Sequence, residues 1–412
     1  MTKSSRFISF GAFLIVILML FVTGCQTDGT KSESQETTSK TPGNTNPSPE
    51  SADSSSSERG DNNDKGEEEG DSDSLPETDG QVNNSMSSLK GVSAIRLINY
   101  ESGWAGGEGF IARSDNGGES WTVQMKLDGI VKQIFALNDQ EAWMVTEELD
   151  IYRTQDGSEW TKISKAPNDG FLHFTSPETG FIGHALTEDG GKTWSNLNKP
   201  EETVGEVYYH DKSIGWAVSQ KENDSFQLMT TTDGGATWTK TASKQTNDRL
   251  GGAVIRSMGK QDAWVEVIGG TGMNQTAYSL FHTSDGGLSW TTVVANSTAG
   301  GGPAPGYPEG NTDAQKNEGV APGPLYVVNR NTALMGGYCG PCDKPNTVGR
   351  TTDGGKSWEN SKQALEGSSG QLLAMADEDK GWMITLDSEK PAVLYKTTDG
   401  GLHWEKSGDL KL

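Results

Sequence analysis

Cys339 and Cys342 stand two residues apart in the stretch Tyr-Cys-Gly-Pro-Cys. At that spacing paired thiols form a local disulfide, exchange electrons, or supply half of a zinc site. Dithiol redox chemistry needs the first thiol at a helix N-terminus, where its pKa is lowered, yet Cys342 runs into Asp-Lys-Pro and then a strand-like segment. Zinc needs two further ligands, and His173, His184, His210, His282 and His403 are scattered along the chain. A disulfide between Cys339 and Cys342 is the simplest reading for an exported chain, with redox activity and metal binding as alternatives. No metal and no cofactor is expected.

Carboxylates are the second resource for chemistry. Glu147, Glu148, Asp224, Asp387 and Glu389 fall in loops, where a pair of acids flanking a glycosidic bond would suffice for hydrolysis. The whole chain is acidic, with a formal charge of −23, so solvated loop acids are equally natural and binding to nucleic acid is not expected.

The elements that must position these groups are written as a repeat. Seven phrases align on tryptophan: SDNGGESW, TQDGSEW, TEDGGKTW, TTDGGATW, TSDGGLSW, TTDGGKSW and TTDGGLHW. They end at Trp121, Trp160, Trp194, Trp238, Trp290, Trp358 and Trp404, and carry Asn116, Asp156, Asp189, Asp233, Asp285, Asp353 and Asp399 in the acidic slot. A second series precedes each phrase, with tryptophan at 104, 143, 216, 264 and 382, so the two series account for all 12 tryptophans. Tryptophan is therefore expected to mark repeat register and to pack neighbouring units. Each carboxylate is expected to accept backbone N–H groups of a tight turn, with glycine supplying positive φ.

Each repeat of about 46 residues reads as four short strands. Seven of them over residues 92–412 predict an all-β fold, a seven-bladed β-propeller of four-stranded antiparallel blades. In such a blade the loops between strands two and three, and between blades, share one rim, while the Asp turns occupy the other. The unusual loops converge on the first rim: 219–227, 269–277, 386–392, the cysteine pair, and a Gly/Pro-rich insertion from Ala299 to Gly323. That rim of blades four to seven is the expected binding face, and the insertion is expected to be dispensable for stability.

These phrases resemble the Asp-box, or BNR, repeat of sialidases, some glycosidases and sortilin-type propellers. Paired with "GWA" phrases, they are most similar to the photosystem II stability and assembly factor-like propellers, over residues 92–412. The resemblance implies fold rather than activity. Sialidases grip a carboxylate with three arginines, but Arg113, Arg153 and Arg350 precede the Asp phrase, and Arg96, Arg256 and Arg330 lie late in innermost strands. Only Arg249 falls on the expected binding face.

The first 24 residues have the layout of a secretory signal, with Lys3 and Arg6 before an apolar run to Val22. Val22-Thr23-Gly24-Cys25 resembles the lipobox of bacterial lipoproteins, which implies acylation of Cys25 and anchorage at the outer face of the cell membrane. Residues 25–91 then read as a lipidated, disordered acidic tether, with fifteen acids, five bases and almost no apolar side chains between 26 and 90. The functional expectation is a non-enzymatic, monomeric, surface-tethered propeller that binds a protein or cell-envelope partner. The alternative is an exported glycoside hydrolase or other glycan-active enzyme using rim carboxylates.

Overall fold

The computed structural model describes residues 91–307, 313–339 and 344–410, all in strands, turns and loops. The signal segment, Cys25, the tether and Cys342 lie outside the described residues. Among the described residues no helix is long and apolar enough to cross a membrane.

Among the described residues six hydrogen-bonded sheets form the propeller, and not the seven separate four-stranded blades expected from the repeat count. The first sheet has six strands: β1 (Val92–Leu97), β2 (Gly103–Ser114), β3 (Thr122–Ala136), β4 (Ala142–Thr146), β5 (Asp150–Thr154) and β6 (Thr161–Lys165). The second is β7 (Leu172–Phe174), β8 (Gly180–Ile182), β9 (Ala185–Thr187) and β10 (Ser195–Asn196). The third is β11 (Thr203–Tyr209), β12 (Gly215–Ser219), β13 (Ser225–Thr231) and β14 (Thr239–Gln245). The fourth is β15 (Gly252–Arg256), β16 (Ala263–Gly272), β17 (Gln275–Thr283) and β18 (Thr291–Asn296). The fifth is β19 (Ala321–Val327), β20 (Ala333–Cys339), β21 (Lys344–Thr351) and β22 (Glu359–Asn360). The sixth is β23 (Gly370–Met375), β24 (Gly381–Leu386), β25 (Val393–Thr397) and β26 (Glu405–Asp409).

The first two sequence repeats share the six-stranded sheet because β3 serves both. Its first half pairs with β2, Arg113 opposite Thr122, and its second half with β4, Ala136 opposite Ala142. Gly129, at φ +107°, lets the chain turn between the halves. β2 also doubles back, at Gly109 (φ +79°), since the Arg113 guanidinium lies 4.8 Å over the Trp104 ring. In a straight strand those residues would stand roughly 30 Å apart. The sheet thereby folds on itself, packing Ala94, Trp104 and Ile111 against Val131, Ala142 and Met144.

Each seam between sheets is filled by such apolar clusters, and five tryptophans, Trp104, Trp143, Trp216, Trp264 and Trp382, are fully buried in them. The tryptophan of one repeat meets the Asp-phrase tryptophan of the next edge to face, as Trp104 with Trp160 at 6.1 Å and Trp216 with Trp290 at 5.9 Å. The ring closes by the same device. Trp121 of the first repeat meets Trp382 of the last at 6.0 Å, and Val92, Leu97 and Ala105 pack against Ala374, Ile384 and Leu394.

Candidate functional site

Every Asp turn uses its own carboxylate. Thr154, Thr187, Thr231, Thr283, Thr351 and Thr397 donate to Asp156, Asp189, Asp233, Asp285, Asp353 and Asp399 at 2.8 to 3.1 Å. In five turns the backbone N–H four residues on donates to the same oxygen, as from Ser289 to Asp285 at 2.9 Å. Ser114 and Asn116 reproduce the pattern in the first repeat at 3.0 Å. The Ser289 hydroxyl and then its N–H hold the Asp285 carboxyl at about 2. Each turn also docks onto the neighbouring strand-one to strand-two turn of its own repeat, for example Gly286 N–H to the Gln261 carbonyl at 2.9 Å. Both turn families therefore share one rim, and the other rim carries the remaining loops.

The arginines serve this framework. Arg113 donates to the Asp139 carbonyl at 2.6 Å and Arg350 to the Asp399 carbonyl at 2.6 Å, while Arg153 pairs with Glu141 and lies over Trp143. In the fifth repeat a histidine takes the corresponding place. His282 stacks on Trp264 at 3.9 Å and lies 2.9 Å from both the Asp262 carboxylate and the Gly354 carbonyl. Arg330 donates to the Ser284 carbonyl, and Arg249 reaches the Gln220 carbonyl at 3.4 Å.

On the loop rim, β16 and β17 run for 10 and 9 residues and project a hairpin, whereas β8 and β9 have 3 residues each. Met273 at the hairpin tip is fully exposed and adopts φ +45°. The insertion buttresses this hairpin: Gly300 and Gly301 run so close to Gly272 and Gly270 that a Cβ at Gly272 would lie 2.1 Å from the Gly300 carbonyl oxygen. Pro305 accepts from the buried Ser279 hydroxyl at 2.7 Å.

In contrast to a free loop, the described residues of the insertion pack into the fold. Ala304 and Asn317 are buried, and Asn317 exchanges hydrogen bonds with Asn296 and donates to the Gly336 carbonyl. Composition alone marked the segment as a free loop, because its few anchoring side chains are small or polar.

Cys339 closes β20, buried and disulfide-bonded. Of the loop acids, Glu147, Glu148, Asp224 and Glu389 are exposed, and Asp387 accepts N–H groups of Glu389 and Lys390 as a turn cap.

A cavity of about 620 Å³ opens at the centre, lined by the late halves of the innermost strands and so displaced toward the Asp-turn rim. Its walls include Leu97, Phe135, Phe171, Tyr208, Tyr326 and Leu372. Arg96 and Arg256, set aside in the sequence for lying late in innermost strands, both line it. Phe171, His173 and Tyr208 stack in one wall, with His173 and Tyr208 parallel at 4.7 Å, and burial holds the His173 imidazole at about 3. Arg256 lies 3.7 Å over Phe171 and pairs with Glu206 at 2.6 Å. On β16, opposite Val254, the buried Glu266 is raised to about 8 by desolvation, with Arg256 opposing. No sequence signal singled out Glu266, which occupies an ordinary strand position between Val265 and Val267.

No protein-family model and no curated protein matches the chain. Among solved structures it is similar to YCF48 bound to D1 peptide, at 16% identity over 77% of this chain and 94% of that one, with a TM-score of 0.47. YCF48 from Cyanidioschyzon merolae matches at 16% identity over 76% and 94%, with a TM-score of 0.48. A GH74 enzyme of Niastella koreensis matches at 14% identity over 78% and 66%, with a TM-score of 0.37. At these identities the likeness is one of fold alone.

Proposed function

We propose that this chain is a non-catalytic binding propeller, lipidated at Cys25, tethered to the outer face of the cell membrane by residues 25–91, and holding a protein or cell-envelope component by its loop rim. The contact region comprises the loops of the fourth to seventh repeats, with the β16–β17 hairpin at its centre. One observation carries the reading: Met273 is fully exposed at a tip held by close glycine-to-glycine packing with the insertion, with left-handed backbone at a non-glycine residue. A flexible apolar side chain displayed on a braced support suits burial by a partner, and unfavourable backbone persists where surroundings fix it. The disulfide at Cys339 supports the same rim, and pairing it with Cys342 is part of the proposal.

Capture of partners by the membrane-anchored chain tests this. Met273→Asp should deplete the captured component at least tenfold while the melting temperature stays unchanged. Undiminished capture by that variant contradicts the proposal.

A further inference from the structure

We infer that the central cavity is a binding site for a small apolar organic anion, such as an aryl carboxylate, with Arg96 as the group that holds its charge. The cavity lies toward the rim opposite the proposed partner face, so this site stands apart from that reading.

Charge distribution is the first argument. The chain carries −23 overall, yet among the described residues the cavity lining contains Arg96, Lys132 and Arg256 and no aspartate or glutamate. Two of these cations are already matched from outside the lining, Lys132 by Asp169 at 2.5 Å and Arg256 by Glu206 at 2.6 Å. Arg96 has no carboxylate partner among the described residues. Its guanidinium lies 4.9 Å over the Phe135 ring, its one hydrogen bond is a 3.5 Å contact to the Ala136 carbonyl, and its buried Nε has no acceptor. A half-buried cation against apolar walls attracts an anion more strongly than one in open water.

The walls decide the class of ligand. A peptide would need partners for its backbone groups, but most polar lining side chains are already engaged within the protein, and the His173 ring nitrogens, which have no partner, are themselves buried. Gln133 donates to the Gly170 carbonyl and accepts from Leu172 N–H, Asn138 accepts from two turn N–H groups, and the Tyr208 and Tyr326 hydroxyls donate to main-chain carbonyls. What remains is a largely apolar surface, the buried His173 ring, and one guanidinium with no carboxylate partner among the described residues. The volume of about 620 Å³ lies within the range of small-molecule sites.

The test uses the exported chain and 1-naphthoate, with 1-naphthylmethanol and 1-naphthylmethylammonium as neutral and cationic counterparts, measured by calorimetric titration. Naphthoate should bind at least tenfold more tightly than the alcohol, and the ammonium most weakly. Arg96→Gln should erase the tenfold preference while leaving the alcohol's affinity within twofold, which also shows the cavity intact; Arg96→Lys should retain most of it. Equal binding of all three probes, an unchanged naphthoate affinity in Arg96→Gln, or tighter binding of N-acetyl-Gly-Gly-Phe than of naphthoate would each overturn the assignment.

Discussion

The indole rings of Trp121 and Trp382 meet edge to face with centroids 6.0 Å apart, although 261 residues separate them, and the Trp382 Nε1–H donates to the Tyr100 carbonyl at 3.1 Å. The last sheet draws all four strands from the C-terminal end of the chain, so side-chain packing closes the ring without a shared strand. Trp382→Ala should cost about 3–5 kcal/mol, as for other fully buried aromatics. Urea denaturation followed by circular dichroism checks this; a cost no larger than that of a surface substitution would show that the ring does not depend on this contact.

Asp285 tests the Asp turns. Asp285→Ala removes the acceptor for the Thr283 and Ser289 hydroxyls and the Ser289 N–H, and should lower the melting temperature by about 2–4 °C. Asp285→Asn keeps one acceptor, as Asn116 does in the first repeat, and should lose less. The folded pKa of about 2 lies below the ordinary 3.8, so the turn's contribution is present above pH 3.8 and lost as pH falls through about 2. Thermal melts of both variants between pH 2 and 7 provide the measurement.

Glu266 predicts a slope of the opposite sign. Its folded pKa of about 8 exceeds the ordinary 4.5, so its contribution is fully present below pH 4.5 and declines as pH rises through 8. Glu266→Gln should flatten this decline and stabilise the protein at pH 8.5 by about 1–3 kcal/mol, the scale of an uncompensated buried polar group. Parallel pH dependence in variant and wild type would contradict the placement.

The insertion makes a prediction against its composition. Deleting 299–323 removes buried Ala304 and Asn317 and leaves the Asn296 side chain without its partner, so the melting temperature should fall by roughly 5 °C or more. Differential scanning calorimetry of the deletion variant distinguishes this from a dispensable loop, which would leave the melt unchanged.

How much was legible follows from what kind of signal each feature leaves. The Asp phrase and its tryptophan recur with fixed spacing because every turn must satisfy the same backbone donors, so the strands, turns and rim assignment could be read directly. The count of sheets could not: β2 and β3 keep hydrogen bonding on both sides of their turns at Gly109 and Gly129, and nothing in "GGEGF" or "LDGIV" shows whether the sheet breaks there. The cavity was also hidden, because Arg96 and Tyr326 belong to different repeats and line one cavity only when the ring closes. Glu266 left no trace because its environment is built by sheet packing.

The central functional claim is tested most directly by placing a photo-reactive residue at 273, on the loop rim, or at 288, on the Asp-turn rim, where Leu288 is almost as exposed. In the full-length chain, irradiation should yield one discrete adduct from position 273 in at least tenfold excess over position 288. Equal yields from the two positions, or an excess from 288, would contradict the assignment of the loop rim as the partner face.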